Sequence, residues 1–162
     1  MECLVTGDVS KLLTVRGAAI PPSTYHENSS NIDSMDGKKE KVVLLGASDN
    51  PQRYAHKAFL LLKKFGHSVF PVHPSLPEIE GVKCYKTLLE MKEALSFAVD
   101  TLTIYVRPAI SESLQDDILK LGMKRVIFNP GTENQKLIQL LQESGVEVVV
   151  GCTLVMLSTN QF

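Results

Sequence analysis

From Lys41 onward, short aliphatic and β-branched runs alternate with longer stretches in which apolar residues recur every three or four positions. An unbroken apolar run of strand length suits a strand covered on both faces, whereas the wider spacing marks one side of a helix. The pattern predicts strands at residues 41–45, 68–72, 101–106, 125–128 and 147–150. Between them it predicts helices at about residues 54–65, 85–94, 111–121 and 135–144. Gly66, Gly122 and Gly145 stand just past three of these helices, where glycine accepts the left-handed conformation that ends a helix. The recurring order of strand, helix, glycine and strand predicts βαβ units, hence an α/β fold. The expected architecture is an open, doubly wound sheet of about five mainly parallel strands in three αβα layers.

Ahead of this pattern, "PPSTYHENSSNIDSMDGKKE" at residues 21–40 is rich in Pro, Ser, Asn and charge, the composition of a linker. Residues 1–40 are therefore read as an appendage and residues 41–162 as the domain. The 162 residues, 44% hydrophobic and 22% charged, suffice for one domain with a real core and leave no room for a second. No apolar run approaches the roughly 20 residues that span a bilayer. The first residues lack a basic segment followed by an apolar core. Cys3, Cys84 and Cys152 form neither a disulfide framework nor a CxxC pair, so a reducing cytoplasm is the expected compartment.

Net charge is −1 and the cations are scattered, which argues against a nucleic-acid partner and requires any anionic ligand to find local help. In doubly wound sheets that help lies beyond the carboxyl ends of the strands. After the first strand comes Gly46-Ala47-Ser48-Asp49-Asn50-Pro51-Gln52-Arg53. A tight glycine turn, a serine hydroxyl, a helix N-terminus and a forked cation suit a phosphate. The same residues also compose an ordinary turn capped by Ser48 or Asp49, and neither GxGxxG nor a Walker loop is present.

His73-Pro74 follows the second strand and Val106-Arg107-Pro108 the third, two X-Pro ends that stiffen their loops. His73 is a candidate base or donor, and Arg107 a candidate anion contact. Asn129-Pro130-Gly131 follows the fourth strand, with Thr132 as candidate N-cap. Cys152 is a nucleophile only if a basic neighbour lowers its pKa, and no His or Asp is close in sequence. His26, His56 and His67 lack metal-ligand spacing, so no metal site is expected. No acidic residue ends the second strand to hold an adenosine ribose, which disfavours NAD.

Taken in order, "VVLLGASDNPQR", "GHSVFPVHPSLPEIEGVKCYKTLLEM", "VDTLTIYVRP" and "VIFNPGTEN" resemble the CoA-binding domain family, small Rossmann-like proteins related to the N-terminal domain of the succinyl-CoA ligase α subunit. The resemblance covers about three quarters of the chain, from Lys41 to Phe162. It implies coenzyme A or an acyl-CoA as ligand, with Gly46, Ala47, Ser48 and Arg53 along its phosphates. His73 and Pro74 fall where the family has V-N-P, so a histidine replaces the usual asparagine. Val106, Arg107 and Pro108, and Asn129, Pro130 and Gly131, match the third and fourth strand tips.

No catalytic residue is implied, because the ligase's phosphorylated histidine belongs to a second domain. The expected role is a non-catalytic carrier, sensor or partner-assisted module. Two alternatives are a regulatory module gated by NAD or another nucleotide, with residues 1–40 as its contact surface, and an enzyme acting on a CoA thioester through Cys152 or His73. The apolar tail "TLVMLSTNQF" is placed to cover a sheet edge or to dock on a second copy, so a homodimer or a protein partner is compatible with the sequence.

Overall fold

The computed structural model describes residues 38–162. Residues 1–37, most of the expected appendage, lie outside the described residues. In chain order the elements are β1 (Lys41–Leu45), α1 (Tyr54–Lys64), β2 (Ser68–Val72), β3 (Glu78–Ile79), β4 (Val82–Lys83), α2 (Leu88–Ala94) and β5 (Thr101–Ile104). They continue with α3 (Pro108–Ser113), α4 (Gln115–Leu121), β6 (Arg125–Phe128), α5 (Gln135–Glu143), β7 (Glu147–Val150) and α6 (Thr153–Ser158). Five strands pair in the order β2-β1-β5-β6-β7, all parallel, and β3 with β4 forms a small antiparallel hairpin.

The alternation of side chains along a strand divides the core in two. Val42 and Leu44 of β1 pack with Ala55, Phe59 and Leu62 of α1 and Leu157 of α6. Val43 and Leu45 face the other way, toward Leu88, Met91, Ile118, Leu137 and Leu141 of α2, α4 and α5. Both faces of the sheet are thus covered, and the fold is a Rossmann-like three-layer α/β sandwich. Burying one large aliphatic or aromatic side chain contributes about 1.5–3 kcal/mol, and Val42, Phe59, Leu102 and Phe128 are wholly shielded from solvent.

Four features differ from the sequence expectation, each for a local reason. The third main strand stops at Ile104, because Tyr105 and Val106 turn toward the end of β1. The single helix expected at residues 111–121 is two, α3 and α4, joined at Leu114, and Pro108 at the first position of α3 sets its earlier start. The helix expected from residue 85 begins at Leu88, because Tyr85 pairs alongside Val72 and Thr87 caps the helix through its side chain. The β3–β4 hairpin and α6 had no periodicity long enough to reveal them.

Glu40, on the linker side of the expected boundary, is bonded into the domain. Its carboxylate accepts from Thr101 Oγ1 at 2.6 Å and Arg125 Nη2 at 2.8 Å. The C-terminal segment closes over the same end: the Phe162 ring lies 4.8 Å from His67 and 4.7 Å from the Arg125 guanidinium. The apolar tail therefore packs on the α1 face of its own sheet.

Candidate functional site

Strand order reverses between β1 and β5, since the chain runs outward from β1 to β2 and then returns to build β5, β6 and β7 on its other side. The loops leaving β1 and β5 diverge to opposite layers there, the arrangement that opens a crevice at the carboxyl end of doubly wound sheets. Gly46 sits at its floor with φ +85°, and a Cβ on it would stand 2.7 Å from Val106 Cγ1 and 3.0 Å from the Tyr105 carbonyl carbon. Only glycine permits both this backbone conformation and this approach.

The N–H groups of Gly46 and Ala47 both point at the Val72 carbonyl, at 3.1 and 3.2 Å. They lock the β1 and β2 ends together. Beyond them the chain winds through two side-chain turns before α1 begins. Ser48 Oγ accepts from the Asn50 N–H at 3.2 Å, and Asn50 Oδ1 accepts from the Gln52 N–H at 2.9 Å. Neither Ser48 nor Asp49 caps the helix, as the plain-turn alternative required; Arg53 holds the N-cap position with no side-chain bond. Among the described residues, the N–H groups of Ser48 and Asp49 have no acceptor. Those two donors, the first turn of α1 and the exposed Arg53 guanidinium offer an anion a partly positive surface.

His56, weighed from sequence only as a metal ligand, shapes this loop instead. It is 3% exposed, its Nδ1 donates to the Ser48 carbonyl at 3.0 Å, and its Nε2 stands 3.4 Å from the Glu80 carboxylate in the β3–β4 turn. A carbonyl can only accept, so the proton on Nδ1 is required.

After β2, His73 is half-buried, with its backbone N–H on the Tyr85 carbonyl at 2.9 Å. Its Nδ1 accepts from the Ser75 N–H at 3.2 Å, which leaves the neutral ring's proton on Nε2. Pro74 is exposed. After β5, Val106 closes against Gly46, Arg107 is exposed at the N-cap of α3, and Pro108 opens that helix.

Asn129 is 2% exposed, and its side chain is committed inside the protein. Nδ2 donates to Thr103 Oγ1 at 2.8 Å and to the Ile104 carbonyl at 3.0 Å, while Oδ1 accepts from the Thr153 N–H at 2.9 Å. Thr103 and Thr153 share a further bond of 2.8 Å. Asn129 therefore ties the ends of β5 and β6 to the start of α6. Pro130 and Gly131 are exposed. Gly131 has φ +86° with nothing within 4 Å of where a Cβ would stand, so its conformation, not a close approach, calls for glycine.

Thr132 is not the N-cap: its hydroxyl donates to the Asn129 carbonyl, and Asn134 caps α5 by accepting from the Leu137 N–H at 3.1 Å. Asn134 also donates to the Pro108 carbonyl at 3.1 Å, which joins the β5 and β6 tips. Sequence reasoning missed His56, Thr103, Asn134 and Thr153, whose partners are distant in the chain. Beside this network the Tyr105 hydroxyl is buried with no hydrogen-bond partner among the described residues, and desolvation pushes its pKa well above the usual tyrosine value.

The two groups raised as chemical candidates lie far apart. His73 follows β2 and Cys152 follows β7, the opposite edges of the five-stranded sheet. Four strand spacings separate them, roughly 19 Å, so they cannot act as a pair. Cys84 is buried, and burial pushes its thiol pKa up. Among the described residues, no three His, Cys, Asp or Glu side chains gather as a metal site, and no helix is long and apolar enough to cross a membrane.

A family model described as CoA binding domain matches residues 40–158. The chain belongs to the CoA-binding domain family. Among its relatives in Bacillus subtilis, the uncharacterized protein YneT is 23% identical over 113 residues, 70% of this chain and 81% of YneT. An ADP-forming acetate–CoA ligase of Methanocaldococcus jannaschii is 30% identical over 73 residues, 45% of this chain but only 10% of the ligase. The crystal structure of an uncharacterized protein, 42% identical, superposes with a TM-score of 0.70 over 76% of this chain and 98% of that one. A hypothetical protein from Pyrococcus horikoshii, 26% identical, gives 0.68 over 76% and 84%.

Proposed function

We propose that the protein binds coenzyme A or an acyl-CoA at the carboxyl ends of β1, β2, β5 and β6, and holds it without changing it. The observation that carries this reading is the crevice floor, where Gly46 meets Val106 and the adjoining Ser48 and Asp49 N–H groups have no acceptor among the described residues. In a CoA-binding domain, these donors with Arg53 suit the pyrophosphate. Arg107 adds a second cation across the crevice, and His73 Nε2–H offers a donor beside the nucleotide. Gly46 and Ala47 serve by fixing the strand ends, and Asn129 by holding the fourth tip in place with Pro130 and Gly131.

A carrier, sensor or partner-assisted role fits a crevice with donors and cations but no paired nucleophile and base among the described residues. Because His73 and Cys152 stand at opposite sheet edges, an enzyme acting on a CoA thioester would use one of them without the other. Isothermal titration with CoA, dephospho-CoA, NAD and ATP tests the reading. Micromolar or tighter binding of CoA, with weaker binding of NAD and ATP, is the expected result. Absence of CoA binding in that range would overturn it.

A further inference from the structure

The two outer strands of the sheet are finished differently. The free side of β2 contains Pro71, which has no N–H, and is crossed by Tyr85: the Tyr85 N–H donates to the Pro71 carbonyl and the His73 N–H to the Tyr85 carbonyl, both at 2.9 Å. That edge is blunted and covered, as natural sheets require. On the opposite side, β7 has no neighbour among the described residues. Its sequence Glu147-Val148-Val149-Val150 contains no proline, lysine or bulge.

Hydrogen bonding shows which groups face outward. The Glu147 N–H donates to the Lys124 carbonyl at 2.9 Å and the Gly151 N–H to the Phe128 carbonyl at 3.0 Å. Because direction alternates along a strand, Val148 and Val150 turn both N–H and C=O away from the sheet. The surface around them is apolar: Val150 is 58% and Val155 56% exposed. An open groove of about 430 Å³ runs beside them, lined by Glu147, Val149, Cys152 and Met156 among others.

We propose that this edge is a homodimer interface, in which two copies pair β7 antiparallel about a twofold axis at Val149. The register follows from the outward groups and the charge. With the axis at Val149, Val148 of each copy lies opposite Val150 of the other, and each such pair exchanges two hydrogen bonds. Glu147 then falls opposite Gly151, which sets the two Glu147 positions about 13 Å apart along the ribbon, beyond the screening length of about 8 Å. Moving the axis to Val148 halves that separation, and moving it to Glu147 places the two carboxylates face to face, which is destabilising. The Val149-centred register alone combines full pairing of both outward residues with separation of the charges. The edge is complementary to itself, as an isologous interface must be.

Light scattering on size-exclusion peaks of the full chain at micromolar concentration tests this. The expected mass is twice 17.9 kDa. Val150→Lys, which adds a charge beside the axis, and Val150→Pro, which removes an outward N–H that the monomer does not use, should each yield the single-chain mass with an unchanged circular dichroism spectrum. Leu60→Lys, at an exposed position on α1, should remain dimeric. Hydrogen exchange at the Val148 and Val150 amides should be slow in the wild type. A monomeric wild type, fast exchange at both amides, or a dimer that survives whichever of the two Val150 variants folds would overturn the proposal.

Discussion

His56 donates from Nδ1 to the carbonyl of Ser48, 3.0 Å away and eight residues earlier, so a helix side chain sets the direction of the loop that precedes its own helix. The same ring faces Glu80 across the β3–β4 turn. His56→Ala leaves a part-buried carbonyl unpaired, which costs about 1–2 kcal/mol, and it frees the Ser48–Asp49 donors from their fixed orientation. The expected outcome is a loss of stability of that order in urea unfolding and roughly tenfold weaker CoA binding by calorimetry. His56→Asn, whose amide nitrogen can replace Nδ1, should recover most of the affinity while losing the Glu80 contact.

Gly46 and Gly131 both have positive φ, yet their surroundings differ. Gly46→Ala combines an unfavourable backbone conformation with a contact of 2.7 Å on Val106, and is expected to cost about 2–4 kcal/mol. Gly131→Ala meets only the backbone term, about 1 kcal/mol. Paired urea titrations check the order, and equal costs would show that the Val106 contact relaxes freely.

Arg53 and Arg107 are exposed cations at two strand tips, and neither is needed for the core. Arg53→Ala should weaken CoA binding roughly fivefold to twentyfold at low salt, with less effect at high salt, and leave unfolding within about 0.5 kcal/mol of wild type. Arg107→Ala should act in the same direction and less strongly. Calorimetry at two ionic strengths separates this electrostatic loss from a structural one.

Asn129 has the opposite profile. Asn129→Ala strips a buried network of Thr103, Ile104 and Thr153 of its partners and is expected to cost about 2–4 kcal/mol. Calorimetry on the folded fraction should show a smaller affinity loss than Arg53→Ala, because the amide is turned inward.

Acid should destabilise the domain in two stages. Burial, chiefly, holds the His67 pKa below its ordinary value of 6.5, and its Nδ1 accepts from the Glu40 N–H at 3.1 Å, a bond a proton there would break. The unfolded state therefore binds more protons, and the stabilisation present above pH 6.5 is lost as pH falls through the lower folded value. Asp100, bonded by Lys124 and by the Lys41 N–H, is held below 3.8, so its contribution is lost at still lower pH. Urea midpoints measured from pH 7.5 to 5 should fall for wild type and flatten for His67→Asn.

Much of the fold was legible in the chain because buried parallel strands and glycine-stopped helices repeat in one order. Strands β1, β2, β6 and β7 lie where the apolar runs place them. What failed was short or long-range. The two-residue strands of the hairpin are too brief to carry a period, and Tyr85 left its helical pattern for a bridge to Val72. At the candidate site, the sequence named the residues at each strand tip but could not divide their work. Gly46 and Ala47 stand in a phosphate-loop position, yet their N–H groups serve the Val72 carbonyl, 25 or more residues away.

The sequence by itself determined the α/β class, the strand tips and the family, since these depend on local periodicity, turn chemistry and motif order. Only the tertiary structure decided which polar groups remain free for a ligand. It showed Asn129 turned inward, His56 gripping Ser48, and His73 and Cys152 at opposite sheet edges. It also showed one sheet edge covered by Tyr85 and the other, among the described residues, left bare at Val148 and Val150. The reason is physical: a donor's availability depends on what the rest of the chain brings within about 3 Å of it, and strand order sets that.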